Sequence, residues 1–355
     1  MLLTPVQQTA GGMNSYFDQL GAFFVICFLF VNYPHFIASY KLAYSKGVRF
    51  IGRNWFQLLF VPLLLTAMIA TAYVFFDSSP FIVKHINEAL GFVGINTQIV
   101  SPAQEHGVEM MALLLDLMYI SVGWHYSKQV YGCMMVYAHY NSYKLTHIQR
   151  HIAKWSVLGI WFVNYFSYHT YAGSGDFYGI AMNGIGLGEV PKLISWAGFG
   201  LIIACACYFI FWQNYRRYQQ LPSVNFLVPF VAYSIWFLPP FNQPFFYMTA
   251  VPFFHSLQYL VFVYRIEKEK LIATDVSANR KNIIATALIM LLIIGGWLSF
   301  NLVPELLDEV TGISSIHNVA FFVAAAHIFI NIHHYFIDNV IWRFDNTDIK
   351  KYLLN

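Results

Sequence analysis

The feature that most constrains this chain is a succession of apolar stretches, each near the roughly 20 residues an α-helix needs to cross a bilayer. Nine segments reach that length, at about 20–42, 54–76, 109–140, 155–171, 193–214, 223–239, 246–264, 283–301 and 317–342. Hydrophobic residues make up 58% of the chain and charged ones only 10%, against about 25% charged in a soluble domain. The expected fold class is therefore all-α: a polytopic transmembrane bundle of about nine spans, forming one integral-membrane domain over residues 1–355. The implied location is an integral membrane, taken as the bacterial inner (cytoplasmic) membrane, and the first expected partner is the lipid bilayer itself.

Charge orients the bundle. Lys41, Lys46, Arg49 and Arg53 follow the first span, and Lys144, Arg150 and Lys154 the third. Arg216 and Arg217 follow the fifth, and Arg265, Lys268, Lys270, Arg280 and Lys281 the seventh. Arg343, Lys350 and Lys351 follow the ninth, whereas Asp77, Glu88, Glu105, Asp176, Glu189, Glu305, Asp308 and Glu309 lie in the alternate connections. The positive-inside rule then places the N-terminus outside and the C-terminus inside. Residues 77–107 read as a long extracytoplasmic loop, 265–282 as a basic cytoplasmic loop, and the glycine-rich stretch 172–191 as turn chemistry. The N-terminal stretch has no basic n-region, so the first apolar segment reads as a retained span. The formal net charge of +3 is explained by membrane-facing basic loops and calls for no nucleic-acid partner. Cys27, Cys133, Cys205 and Cys207 all lie in apolar segments, with no disulfide framework. The oligomeric state is left open by the sequence.

The ninth span is the least ordinary. It carries His327, His333, His334 and Asp338. At 100° per residue, His327, Asn331, His334 and Asp338 fall within about 60° of one another, while His333 points elsewhere. Buried ionisable groups in a membrane helix face the bundle interior and mark function by default. His35, His125 and His255 lie at a matching depth in spans one, three and seven. Histidines at one depth on four helices define a candidate metal site built from side chains projecting inward. Imidazole with carboxylate suits iron or zinc, and imidazole alone also suits copper. The candidate ligands are His35, His125, His255, His327 and His334. Asp338 is read as a further ligand or as the group orienting His334, and Tyr259 as a proton or hydrogen-bond donor to bound oxygen.

Other residues fill supporting roles. Pro34 should kink the first span and free a carbonyl beside His35. Gln129 lies one turn from His125, and Gln258 and Tyr259 one turn from His255. Lys128 either snorkels or counters a carboxylate such as Asp338. His85, His106, His147 and His151 read as solvated, while His169 and His317 lie near the outer surface. The leading functional reading is a metal-dependent oxygenase, with non-haem iron as cofactor and an apolar small molecule as substrate. Two readings from other classes stand beside it: a proton- or metal-ion transporter using an intramembrane His/Asp relay, and a haem-binding membrane subunit with axial histidines.

The order of three motifs resembles the Brp/Blh family of membrane β-carotene 15,15′-dioxygenases. The matching stretches are Tyr33-Pro34-His35-Phe36, Trp124-His125-Tyr126 and Phe254-His255-Ser256-Leu257-Gln258-Tyr259. The resemblance implies that His35, His125 and His255 ligate non-haem iron and that the substrate is an apolar polyene. Tyr259 stands where that family has a second histidine, and no acidic residue follows His35 between Ala38 and Ala43. A fourth ligand would then come from span nine. The membrane desaturases are a poorer match, because the adjacent pair His333-His334 is not part of an HxxHH box.

Overall fold

In the computed structural model, residues 12–76, 104–171, 176–181, 190–236, 244–312 and 318–343 are described, with isolated positions 88, 91, 92, 238, 346 and 351. They form thirteen α-helices: α1 Gly12–Cys27, α2 Asn32–Tyr44, α3 Val48–Arg53, α4 Val61–Phe76, α5 Gln104–Tyr140, α6 His147–Tyr171, α7 Val190–Ala206, α8 Gln213–Tyr218, α9 Val224–Ile235, α10 Pro244–Ile272, α11 Ala278–Trp297, α12 Val303–Thr311 and α13 Phe321–Ile341. Three π-helical turns, Phe56–Phe60, Cys207–Trp212 and Leu298–Leu302, join α4, α8 and α12 to what precedes them. The one departure from an all-helical fold among these residues is a two-stranded antiparallel hairpin, Asp176–Phe177 with Ile180–Ala181. Its turn residues Tyr178 and Gly179 both have positive φ, 55° and 88°, as a tight hairpin turn requires.

Six helical segments among the described residues are long and apolar enough to cross a membrane. They are Tyr16–Tyr44, Phe56–Phe76, His106–Tyr140, Leu193–Tyr218, Phe245–Ile272 and Ala278–Thr311. Their outer faces expose large apolar side chains, such as Ile26 at 70% and Leu63 at 68%. An apolar outside of this kind fits lipid as the surrounding solvent. The chain is an integral membrane protein. The three other expected spans are also helices, but of a different kind. Helix α9 has 12 residues, too few to cross alone. Helices α6 and α13 have 25 and 21 residues, with the polar load of α13 lowering its hydropathy.

The basic stretch 265–282 is mostly helix rather than loop. Helix α10 continues to Ile272 and α11 begins at Ala278. The run Arg265-Ile-Glu-Lys-Glu-Lys-Leu-Ile272 consists largely of good helix formers, so the helix outlasts the apolar segment. Glu267 there bridges Lys41 of α2 and Lys270, the latter at 3.0 Å. The loop 77–107 lies outside the described residues, except positions 88, 91, 92 and the first turn of α5. His85 and His317 also lie outside them, as does the side chain of His169.

Helix α13 is the axis of the bundle. It packs on α2, α4, α5 and α12, and thirteen of its 21 residues are buried, so protein rather than lipid surrounds its polar groups. No residue of its own caps its start. Instead Asp308 of α12, expected in a connection between spans, is buried and accepts the backbone N–H groups of Phe322 at 2.9 Å and Val323 at 3.1 Å. A carboxylate there satisfies orphan donors and meets the positive end of the helix.

The first span is broken rather than kinked. Helix α1 stops at Cys27, and α2 restarts at Asn32, with Pro34 in its first turn where a missing N–H costs little. Helix α11 lies directly on this break: a Cβ at Gly296 would fall 2.6 Å from Cβ of Tyr33, whose ring stacks on Phe300 at 4.6 Å. The neighbouring Gly295 has only ordinary contacts, the nearest at 3.5 Å to Ile37. Gly296→Ala should therefore destabilise the protein by about 1–3 kcal/mol through overpacking, whereas Gly295→Ala should be neutral or stabilising. Thermal unfolding in detergent separates the two, and equal melting temperatures would refute the close approach of α11 to α2.

Candidate metal centre

Four helices converge at one buried point. Helix α2 supplies His35, α5 supplies His125, α10 supplies His255, and α13 supplies His334 and Asp338. Their exposures are 1, 7, 8, 0 and 5% respectively. Nε2 of His35 lies 3.2 Å from Nε2 of His334, and Nε2 of His125 lies 3.1 Å from Nε2 of His255. Oδ2 of Asp338 lies 3.5 Å from Nε2 of His334 and 3.7 Å from Nε2 of His125. Two overlapping sets, His35–His255–His334 and His125–His334–Asp338, each bring their ligand atoms within 4.8 Å of one another.

Hydrogen bonds fix which nitrogen of two of these rings faces the centre. Nδ1 of His35 lies 2.5 Å from the carbonyl oxygen of Asn32, which can only accept. The proton is therefore on Nδ1, and Nε2 is left with its lone pair. Oγ of Ser256 lies 2.8 Å from the same Nδ1 and donates to Oδ1 of Asn32 at 2.8 Å. His334 is held by a longer chain. The Tyr259 hydroxyl donates to Oδ1 of Asp338 at 3.0 Å. The single proton of Ser39 is taken by the His35 backbone carbonyl at 3.2 Å or by the Tyr259 hydroxyl at 2.8 Å. Nδ1–H of His334 then donates to Oγ of Ser39 at 2.7 Å. Again Nε2 keeps its lone pair and points inward.

The donor set fits a metal ion. Nitrogens bound to one metal at about 2.0–2.1 Å lie roughly 2.9–3.4 Å apart, from right-angle to tetrahedral geometry. The two Nε2 pairs sit at 3.1 and 3.2 Å. Oδ2 of Asp338 is buried without a hydrogen-bond partner, although its other oxygen is satisfied. An orphaned carboxylate oxygen facing the unprotonated Nε2 of His334 is costly unless a cation joins them. The donors are imidazole and carboxylate, the chemistry of iron, zinc or copper(II).

The surroundings are aromatic. Phe36 packs on the rings of His35 at 4.0 Å and His334 at 4.8 Å. Tyr335 stacks on His125 at 4.7 Å, and Tyr126 lies over His255 at 4.2 Å. Gln129 is used differently from its expected place beside His125. Its amide donates to the backbone carbonyl of His255 and to Oε1 of Gln258, tying α5 to α10 at the level of the site.

The structure separates His327 from the other expected ligands. It stands seven residues before His334, about 10 Å along the helix. Its Nε2 lies 3.2 Å from the hydroxyl of Tyr178 in the hairpin, and its ring packs on Phe300 at 4.9 Å. Burial pushes the Tyr178 phenol above its ordinary pKa, so it remains a donor. Asn331 also stays out of the site, donating to the His327 carbonyl and accepting from Tyr335. Tyr259 donates its hydroxyl proton to Oδ1 of Asp338 at 3.0 Å. Lys128 does not bond Asp338: its ammonium meets Oδ1 of Asn339 and lies 4.9 Å over the Trp124 ring. His333 bonds the hydroxyls of Tyr40 at 2.8 Å and Tyr44 at 3.4 Å, on another face of α13. His106, His147 and His151 are exposed. Ser39 and Asn32 were not singled out in the sequence, and Ser256 entered only as part of the motif that follows His255. Their signal was spacing: Ser39 is four residues after His35, Asn32 three before it, and Ser256 adjoins His255.

No protein-family model matches this chain, and neither a curated protein nor a solved structure is significantly similar to it.

Residues that orient metal ligands typically contribute about 10–100-fold in metal affinity. Ser39→Ala and Tyr259→Phe should each weaken metal retention by that order, measured by competition with a chromophoric chelator. Unchanged affinity in both variants would show that the Ser39–Tyr259–Asp338 chain does not hold His334.

Proposed function

We propose that this protein is a membrane-embedded non-haem iron oxygenase that oxidises an apolar small molecule, lipid or carotenoid-like, drawn from the bilayer. The observation that carries the reading is the unsatisfied Oδ2 of Asp338 beside Nε2 of His125 and His334. Two imidazoles and one carboxylate form the donor set that non-haem Fe(II) oxygenases use. His35 and His255 complete the set on the other side. Bound here, iron supplies the one-electron chemistry that makes dioxygen reactive towards carbon.

The chain's own residues supply the rest. Near-complete burial of His35, His334 and Asp338 excludes bulk water. Ser256 and the Asn32 carbonyl hold the His35 ring by Nδ1, and Ser39 holds the His334 ring by Nδ1. The Tyr259 proton on Oδ1 of Asp338 leaves Oδ2 as the inward-facing oxygen. Trp124, Phe254 and Leu257 are 49, 46 and 43% exposed beside His125 and His255, so lipid meets the helices that carry two of the ligands. That flank supports entry of an apolar substrate from the side. Cleavage of a polyene is the narrower form of this proposal, and it rests on the resemblance of three short motifs to the Brp/Blh family. Nine crossings, N-terminus outside and C-terminus inside, in a bacterial inner membrane, complete it. In this arrangement α13 crosses enclosed by other helices, α6 crosses against α5 and α7, and α9 makes the crossing with the shortest helix.

The other readings have less support. Axial haem ligation needs the two nitrogens on opposite faces of a macrocycle, whereas the paired Nε2 atoms here touch one another. A proton relay needs a donor–acceptor line towards both membrane faces, whereas the lone pairs here turn inward on one point.

Elemental mass spectrometry of purified protein, beside an optical spectrum, tests the proposal. Wild type should hold about one iron per chain without a haem band. His334→Ala should lose it, and His327→Gln should retain it. Metal-free wild type after gentle purification would sink the reading, and equal loss in both variants would move the site along α13.

A further inference from the structure

Lys128 stands one turn from the ligand His125 on α5 and takes no part in the metal centre. It lies inside an apolar run, with no other Lys, Arg, Asp or Glu between Asp116 and Lys144. Its ammonium meets Oδ1 of Asn339, the residue after the ligand Asp338, and lies 4.9 Å over the Trp124 ring. Asp338 attracts it from the centre, but Oδ2 of that carboxylate faces His125 and His334 at 3.7 and 3.5 Å. The group that Lys128 bonds is therefore a neutral amide. An ammonium has three N–H donors, and Asn339 takes one of them. With its oxygen turned to Lys128, the Asn339 amide holds two further N–H donors beside the ammonium.

The seam between α5 and α13 joins this pair to the centre. Tyr335 stacks on His125 at 4.7 Å. It precedes Asn339 by four residues, as His125 precedes Lys128 by three. The two contacts are successive rungs between the same two helices. Tyr335 and His125 are buried, whereas Asn339 and Trp124 are exposed and Lys128 is half-buried. The seam thus opens on the bundle surface at the polar pair and closes one turn away at the ligands. Side chains three or four apart on a helix have Cβ atoms about 5–6 Å apart. A group held at the polar pair is therefore a few atoms from the centre.

We propose that Lys128 and Asn339 bind the carboxylate of a long-chain apolar acid, whose first carbons run along Trp124 towards the metal centre. One ammonium beside one amide matches a carboxylate in charge and in its two acceptor oxygens. An anion there also relieves the cost of a cation in an apolar segment. The carboxylate site stands on this geometry alone. That the acid is the substrate rests on the oxygenase reading, which it narrows from any apolar molecule to one with an anionic end. A polyene would then be held best as its acid.

Native mass spectrometry of the full chain in detergent tests the site, with oleate, methyl oleate and dioleoylphosphatidylglycerol as probes. A hydrogen bond to a charged group contributes on the order of tenfold in affinity. Wild type should therefore retain oleate over methyl oleate by about tenfold or more. Lys128→Met should lose that preference, and Lys128→Arg should keep most of it. Asn339→Asp, which gives Lys128 a fixed carboxylate, should lose it as well. Equal retention of acid and ester by wild type, or an unchanged preference in Lys128→Met and Asn339→Asp, would overturn the site. Displacement of oleate by equimolar phosphatidylglycerol would overturn the carboxylate in favour of a phospholipid headgroup. Metal content should stay at the wild-type level in all three variants, which reports that they are folded. Electron paramagnetic resonance of stearate spin-labelled beside its carboxylate or at its chain end tests the link to the centre. In iron-loaded protein the label beside the carboxylate should relax faster. Equal relaxation of the two labels would overturn the acid as substrate, whereas an oleate preference in protein that holds no iron would sink the oxygenase reading alone.

Discussion

An imidazole buried in a helix bundle must satisfy two nitrogens, and this structure depends on how four of them do so at one point. Nδ1 of His35 and of His334 each find a neighbour that can take their proton. Their Nε2 atoms then have nowhere to go but towards each other, with those of His125 and His255 and with Oδ2 of Asp338. Lone pairs facing lone pairs do not hold helices together. A cation among them would turn this cluster of acceptors into a cross-link joining α2, α5, α10 and α13.

The rest of the fold follows from keeping those four helices in register. Helix α13 is too polar to face lipid, so other helices enclose it, and its start is capped from a neighbour by Asp308. Helix α2 must bring His35 inward, which it does by restarting after the break at residues 28–31 and letting the Asn32 carbonyl take Nδ1. Helix α11 covers that break by close approach at Gly296. Gln129 fixes α5 to α10 one turn from the ligands. The contacts at Asn32, Gly296 and Gln129 sit within a turn or two of the centre, where a shift of about 1 Å would spoil ligation, while the Asp308 cap holds α13 about three turns away.

Much of this was legible in the sequence because membranes impose simple rules. Apolar length located the helices, and a shared depth picked out His35, His125, His255 and the histidines of the last helix, His334 among them. What failed did so for definable reasons. The stripe on the last helix was real in angle, but angle says nothing of distance, and His327 lies about two turns from His334. The hairpin that reaches His327 through Tyr178 comes from a glycine-rich stretch with no periodicity to betray an inward fold. The extent of α10 was underestimated because helices end where propensity fails, and membrane spans end where charge begins.

The adjacent pair His333-His334 shows how sharply the backbone divides roles. One residue is 100° of rotation. That step sends His334 into the centre and His333 to the hydroxyls of Tyr40 and Tyr44. The same offset recurs on α2, where Ser39 serves His334 and Tyr40 serves His333. Two consecutive residues on one helix thus match two consecutive residues on the other, and a slip of a single position between α2 and α13 would break both pairs. The serine hydroxyl is short enough to reach Nδ1 inside the closed centre, whereas the phenol is not. Register between these two helices is therefore set by side-chain length as well as by apolar packing, and it is this register that leaves only one of the two histidines free to bind a metal.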